Sequence, residues 1–547
     1  MRKLPVFAAV LGLAAVAVFG LASCGSSDSG GSAGKEGGTL NGTFAGFPDY
    51  LDPALSYTQE GWTAMYNTYI PLLTYKHADG AEGSEVIPGL AKDLPEISKD
   101  EKTYTLFLRP GLKYSDGTPV KASDFTYAVE RLFKTNSGGS PFYTGIVGAE
   151  QFAETKKGGI PGIETNDQTG KIVIHLTKPR GTFTNELGLM FVAPVPPGTP
   201  NTNQSTNPPP GTGPYMITKA DPSKGWSYER NPYWEKANAK AMPDLPSGHM
   251  DKINITIIRN ASTQVNDVQQ GKFDWMQTQP PPDRLPEIKS KYEGSQFRVE
   301  KTISTYYFWM NMNRAPFDDL KVREAVNYAV DPAALERIYV GSLVGSQQIL
   351  PPGMPGYEKF ELFPYDLAKA KQMIKEADPA DMDVTVWGDD EAENEAAVTY
   401  YNDVLQQLGF NTTLKILNAD NYFTVMGNQT TPELDTGWSD WFQDYPHPND
   451  FFQPLLAGES ILPTNNTNLA EIDDPKLNEK ISRLGETPLT DAEEAEYAEL
   501  DREFMEQAPW APYGNRAVST FVSSAVDLDK VIFNLTFGQD LTSFEFK

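Results

Sequence analysis

Residues 384–417 constrain the fold more than any other stretch. Val384 to Trp387 is strand-like, Tyr401, Val404, Leu405 and Leu408 recur at helical spacing up to Gly409, and Thr412 to Leu417 is strand-like again. A strand, a helix and a strand in that order form a crossover unit, which implies a parallel pair in an α/β lobe. The rest of the chain mixes the same two periods. Residues 103–109 alternate, with Tyr104, Leu106 and Leu108 on one side, and Asp116-Gly117 supplies a turn. Phe125, Ala128, Val129, Leu132 and Phe133 then mark a helix, with Ser123 placed to cap its first turn. Lys171 to Leu176 and Ile253 to Ile258 read as strands. Val322, Ala325, Val326, Ala329 and Val330 make a helical stripe, Asp331-Pro332 starts a second helix running to Gly341, and Asp491 to Glu506 is a long acidic helix. The segment Asn201 to Gly213, rich in Asn, Thr, Pro and Gly, is expected to be a surface crossing between subdomains.

The first residues say where such a body works. Arg2 and Lys3 precede the uncharged, mostly aliphatic run Leu4 to Leu21, and Leu21-Ala22-Ser23-Cys24 ends it. This is the pattern of a secretory signal closing in a lipobox, with Cys24 as the lipidated residue. An uncleaved membrane anchor is the alternative reading, and either version exports the body. Gly25 to Gly38 reads as a flexible tether. Cys24 is the only cysteine, so no internal disulfide can form and packing must supply the stability. A chain of 547 residues suggests two to four domains. The formal charge of −27 argues against nucleic acid or anionic lipid as partners, since both require a concentrated basic surface.

The short motifs that would signal catalysis fail on context. Gly30-Gly31-Ser32-Ala33-Gly34 has nucleophile-elbow spacing, but it sits in the tether and not on a strand-to-helix turn. Asp381-Met382-Asp383 starts like a calcium loop, yet Val386 stands where the turn demands glycine. There is no His-Glu-x-x-His, no cysteine cluster and no Walker loop, and His77, His175, His249 and His447 are scattered. The expectation is a binding protein and not an enzyme, with no cofactor and no metal.

Pro88 to Phe133, PGLAKDLPEISKDEKTYTLFLRPGLKYSDGTPVKASDFTYAVERLF, resembles the signature region of solute-binding protein family 5, the oligopeptide- and dipeptide-binding proteins of ABC importers. Supporting matches follow in the family's order: GGTL at 37–40, LDPA at 51–54, GTGPY at 211–215, RNPYW at 230–234, FDDLKVREAVNYAVD at 317–331, ILPPGMPGY at 349–357, YDLAKAK at 365–371 and WFQDYPHPNDFF at 441–452. The resemblance implies a type II, cluster C periplasmic-binding-protein-like fold: two α/β lobes joined by a two-strand hinge. Its expected divisions are a signal at 1–23, a tether at 24–38, lobe I from 39–55, 195–303 and 512–547, an inserted subdomain at 56–194 and lobe II at 304–511. The crossing strands would fall near Ser304 to Asn311 and Ala508 to Asn515, and the lobes would close on ligand by hinge motion.

In the family's oligopeptide binders an aspartate in a W-x-x-D-Y stretch pairs with the ligand's α-ammonium, and Asp444 occupies that position here. A peptide's amino group loses water as the lobes shut, and a buried cation without a partner is expensive. Residues 438–443, including Asp440, would offer backbone to an extended ligand by strand addition. Trp438, Trp441 and Phe442 would be pocket walls or core, and Gln59 and Trp62 the first-lobe edge of the cleft. The family commonly carries an acid where His447 stands, and an imidazole there is expected to protonate partly below neutrality. The implied partners are an oligopeptide and the ABC permease and ATPase subunits, with the membrane reached through the lipid anchor alone and the protein a monomer. A non-peptide ligand such as an oligosaccharide or metal chelate, and a surface lipoprotein without import, remain the alternatives.

Overall fold

The computed structural model describes residues 36–547; the signal, Cys24 and the 30–34 glycine motif lie outside the described residues. Twelve strands form the main sheet: β1 (Thr39–Phe44), β2 (Tyr215–Asp221), β3 (Gly225–Arg230), β4 (Lys252–Ile257), β5 (Trp275–Met276), β6 (Phe297–Lys301), β7 (Ser304–Met310), β8 (Leu343–Gly345), β9 (Asp383–Asp389), β10 (Asn411–Leu417), β11 (Thr436–Phe442) and β12 (Trp510–Val522). Their spatial order is β10-β9-β11-β7-β12-β5-β1-β4-β3-β2, with β6 and β8 also pairing with β12. The crossover expected at 384–417 is present: β9 and β10 run parallel in register from Asp383↔Asn411 to Asp389↔Leu417. The helix Ala392–Leu408 connects them and ends at Gly409, whose φ of 106° favours glycine.

Two large hydrophobic cores hang on this sheet, with a small third one around Val265, Ile288 and Phe521. One gathers side chains from Leu40 to Trp275 and from Val522 to Phe544; the other runs from Ile303 to Tyr513. The thirteen-residue β12 ties them together. Its first half pairs antiparallel with β7, from Trp309↔Trp510 to Tyr306↔Gly514. Its second half pairs with β6 and, at its end, with β5. The expected crossing strands are therefore neighbours, and the change of side falls at Thr302 to Ser304 against Asn515 and Arg516. There the Asn515 amide donates to the Ser304 carbonyl at 2.8 Å and Thr302 Oγ1 donates to the Arg516 carbonyl at 2.8 Å.

A four-stranded antiparallel sheet built from Glu96–Ile97, Thr103–Phe107, Ile163–Asn166 and Lys171–His175 packs with the helix Ala122–Lys134. Here one local expectation fails. Ser123 does not cap this helix; Lys121 holds the cap position, and the Asp124 carboxylate accepts the Lys121 amide at 2.9 Å. Ser123 lies two residues too late and bonds Asp167 instead. The same helix carries Arg131, which is fully buried and bidentate to Asp52 of the LDPA stretch at 2.7 and 2.6 Å. Arg131 also donates to the Pro200 and Thr202 carbonyls. The Asn201–Gly213 segment is accordingly less of a free surface crossing than its composition predicts: Ser205 is buried and accepts the Leu51 amide, and Gln204 donates its amide to Asp52.

Candidate functional site

The parallel strands β9, β10 and β11 all end on one edge of the sheet, where open α/β sheets place their ligands. Past β11 the chain makes a loop, Gln443 to Pro448, before the helix Asn449–Leu456. This loop reaches the other half of the molecule. The Tyr57 hydroxyl donates to Asp444 Oδ2 at 2.7 Å, and the Asp444 amide donates to Asp450 Oδ2 at 2.8 Å. Tyr445 leaves its own core for the first one, where it meets the Phe142 ring edge-on at 6.0 Å. Gln443 Nε2 donates to Thr536 Oγ1 at 3.2 Å, and the Gly181 amide to the Gly485 carbonyl at 2.9 Å.

Burial dominates the electrostatics. Asp444 is 7% exposed, and loss of water pushes its carboxyl up to about 7 against the opposing bond from Tyr57. Asp450, 1% exposed, is lifted well above the carboxylate range by burial and then by Asp444. Burial, with Glu391 and Asp389 nearby, also holds Asp440 at about 7 despite Tyr306 and Arg516. The one committed cation beside the loop is Arg180, 2.8 Å from Glu186 Oε1. Among the described residues no group of three His, Cys, Asp or Glu side chains is arranged to hold a metal ion.

The other residues singled out from sequence do not converge on one point. Asp440 and Phe442 share one face of β11 with Trp438; Asp440 lies opposite Tyr306 in register, and Phe442 meets the Tyr306 ring edge-on at 6.0 Å. Trp441 faces the other way and donates its indole N–H to Asp450 at 3.4 Å. Trp438 and Trp62 are buried with their N–H groups spent inside, on the Tyr513 hydroxyl and the Ser56 carbonyl. Trp62 stacks behind Tyr57 at 6.0 Å, so it sets that ring's position. Gln59 is half-buried at the start of the helix Gln59–Met65, close to Gly538. His447 departs from expectation. Its burial drives the imidazole down to about 3, so it stays neutral instead of protonating below neutrality; Nδ1 accepts the Asn449 amide at 3.1 Å.

Beyond Gly437 the outer edge of β11 is free for strand pairing. β9 partners it at Thr436 and Gly437 and stops, while β7 covers the opposite edge along its whole length. Among the described residues no strand lies beside Ser439 to Phe442 on that side. Sequence reasoning missed Tyr57, Arg180, Glu186 and Asp450. Of these, Asp450 had a signal, since it lies inside the quoted WFQDYPHPNDFF run.

Two large cores hung on one sheet and tied by the β7–β12 pair give the chain a two-lobed α/β architecture. The chain matches the family described as "Bacterial extracellular solute-binding proteins, family 5 Middle" over residues 85–461, and it belongs to that family. It is 30% identical to the oligopeptide-binding protein OppA of Bacillus subtilis over 62% of this chain and 61% of that protein. It is 27% identical to heme-binding protein A of Haemophilus influenzae, over 78% of this chain and 79% of that one. Among solved structures it is similar to clavulanic acid biosynthesis oligopeptide binding protein 2, with a TM-score of 0.86 and 25% identity, over 94% of this chain and 96% of that chain. The protein is thus a family 5 solute-binding protein of ABC importers.

Proposed function

We propose that this protein captures oligopeptides between its lobes and delivers them to an ABC permease, tethered to the membrane by a lipid on Cys24. The observation that carries the reading is Asp444: a buried carboxyl on the loop where the two halves meet, touched by Tyr57 from the other half and, among the described residues, by no lysine or arginine. A peptide's α-ammonium is the charge that would complete it. The free edge of β11 at Ser439 to Phe442 supports the same ligand, since a peptide backbone pairs with a strand edge while its side chains vary. In this reading lobe I comprises 39–55, 195–303 and 512–547, the inserted subdomain 56–194 and lobe II 304–511, and Trp441, Phe442 and Asp440 border the ligand.

Calorimetry with a defined pool of tri-, tetra- and pentapeptides, each free and N-acetylated, tests it. Acetylation should weaken binding at least a hundredfold, about 3 kcal/mol, in line with breaking a buried charge pair. Unchanged affinity would remove Asp444 from the ammonium role. Mass spectrometry of the intact membrane-extracted protein should show an acylated Cys24 at the N-terminus.

A further inference from the structure

The loop carrying Asp444 has more hydrogen-bond acceptors than donors. Asp450, near the start of the helix Asn449–Leu456, uses its Oδ2 to accept the Asp444 amide and the Trp441 indole. Asp444 uses its own Oδ2 for the Tyr57 hydroxyl. Among the described residues no donor reaches Oδ1 of either carboxyl. Three buried acceptors nearby, Gln443 Oε1, Asn449 Oδ1 and Glu186 Oε2, lack a donor, against one buried donor without an acceptor, the Nε2–H of His447. The titratable groups around Asp450 are Asp444, Tyr57, Tyr75, Tyr445 and Glu186, and the only cation beside them among the described residues, Arg180, is bound to Glu186. Buried acceptors normally find donors, so a set this large points to a partner that brings them. A primary ammonium brings three N–H donors and one positive charge.

We propose that Asp450 is the second carboxyl of the ammonium site, holding a ligand's primary ammonium jointly with Asp444 and releasing one proton as the ammonium enters. This rests on the reading of Asp444 given above. The exchange balances: the ammonium stays protonated and adds one positive charge, one carboxyl O–H bond breaks, and its proton passes to solvent. The buried charge is unchanged. Two carboxyls this close do not both ionise without a cation between them. Asp450 is lifted by burial and by Asp444 in that same sense. Acid therefore competes with the ligand, and affinity falls as pH falls below 7.

The test uses the tightest free-amine binder from the defined tri- to pentapeptide pool. Calorimetry of the wild-type protein at pH 8, where Asp444 is already ionised, in phosphate and in an amine buffer of different ionisation enthalpy, should report release of about one proton per peptide. Asp450→Asn should weaken that peptide at least tenfold and abolish most of the release at the same pH. A residue acting only as a loop brace would lower affinity while leaving the proton count in place. If acetylation abolishes binding but the wild type releases no proton, or Asp450→Asn binds within twofold with the same release, the role of Asp450 is wrong and Asp444 stands. If no peptide binds, or acetylation changes nothing, the reading of Asp444 fails and takes this one with it.

Discussion

Replacing Asp444 with Asn should stabilise the protein at alkaline pH while it weakens peptide capture. In the unfolded chain this carboxyl ionises near 3.8, whereas burial in the folded chain raises it to about 7. The folded state thus keeps a proton that the unfolded state loses between pH 4 and 7. Stability must fall as pH rises through that window, and the loss is complete above about 7. At about 1.4 kcal/mol per pH unit the full effect approaches 4 kcal/mol, of which about 3 kcal/mol lies between pH 5 and pH 8. Asn has nearly the same shape and no charge, and its carbonyl can still accept the Tyr57 hydroxyl. Urea unfolding of peptide-free protein, followed by tryptophan fluorescence at pH 5 and pH 8, should show Asp444→Asn ahead by about 3 kcal/mol more at pH 8 than at pH 5. The same variant should lose at least tenfold in affinity for a free-amine peptide, the usual exchange of stability against function at a binding site. A gap that does not change with pH would refute the reasoning. It would mean that the ionised carboxylate reaches water without cost, so that the Tyr57–Asp444 contact does not persist in solution.

Two further outcomes follow from one contact inside the first half and one between the halves. Arg131→Met strands Asp52 among the carbonyls of residues 200–202 and should cost about 3–5 kcal/mol in urea unfolding, because a buried carboxylate loses its only guanidinium; a loss below about 1 kcal/mol would show that water replaces the arginine. Gly181→Val should hold the halves apart, since even a Cβ at this position would stand 1.9 Å from the Thr487 carbonyl oxygen. Small-angle scattering with saturating peptide should then give a larger radius of gyration than wild type, with weaker binding and little change in the unfolding midpoint, and an unchanged radius would show that the 181–487 contact yields.

What could be read from sequence divides along a physical line. The crossover at 384–417 and the Asp331-Pro332 helix start were legible because each is fixed by local periodicity or by cap chemistry that a few adjacent residues carry, whereas the crossing strands came only from the family resemblance. Ser123 shows where even local reading slips, since a serine two residues beyond the true cap looks the same on paper as the cap itself. The candidate loop was half legible. The aspartate in the WFQDY run was marked by the family resemblance, but the two neighbours it meets in the structure are of different kinds. Asp450 is six residues on, and reading it as a partner requires knowing that Pro446 and Pro448 fold the loop back, so that the Asp444 amide meets the Asp450 carboxylate. Tyr57 is 387 residues away, and nothing in its surroundings distinguishes it from any tyrosine ahead of a helix. His447 makes the point energetically. Its composition suggests a group poised to titrate near neutrality, and its burial against Tyr497 removes that property altogether. A side chain's identity sets what it can do in water, whereas the site is made by taking it out of water. The charges that matter here became visible only once the chain had been folded around them.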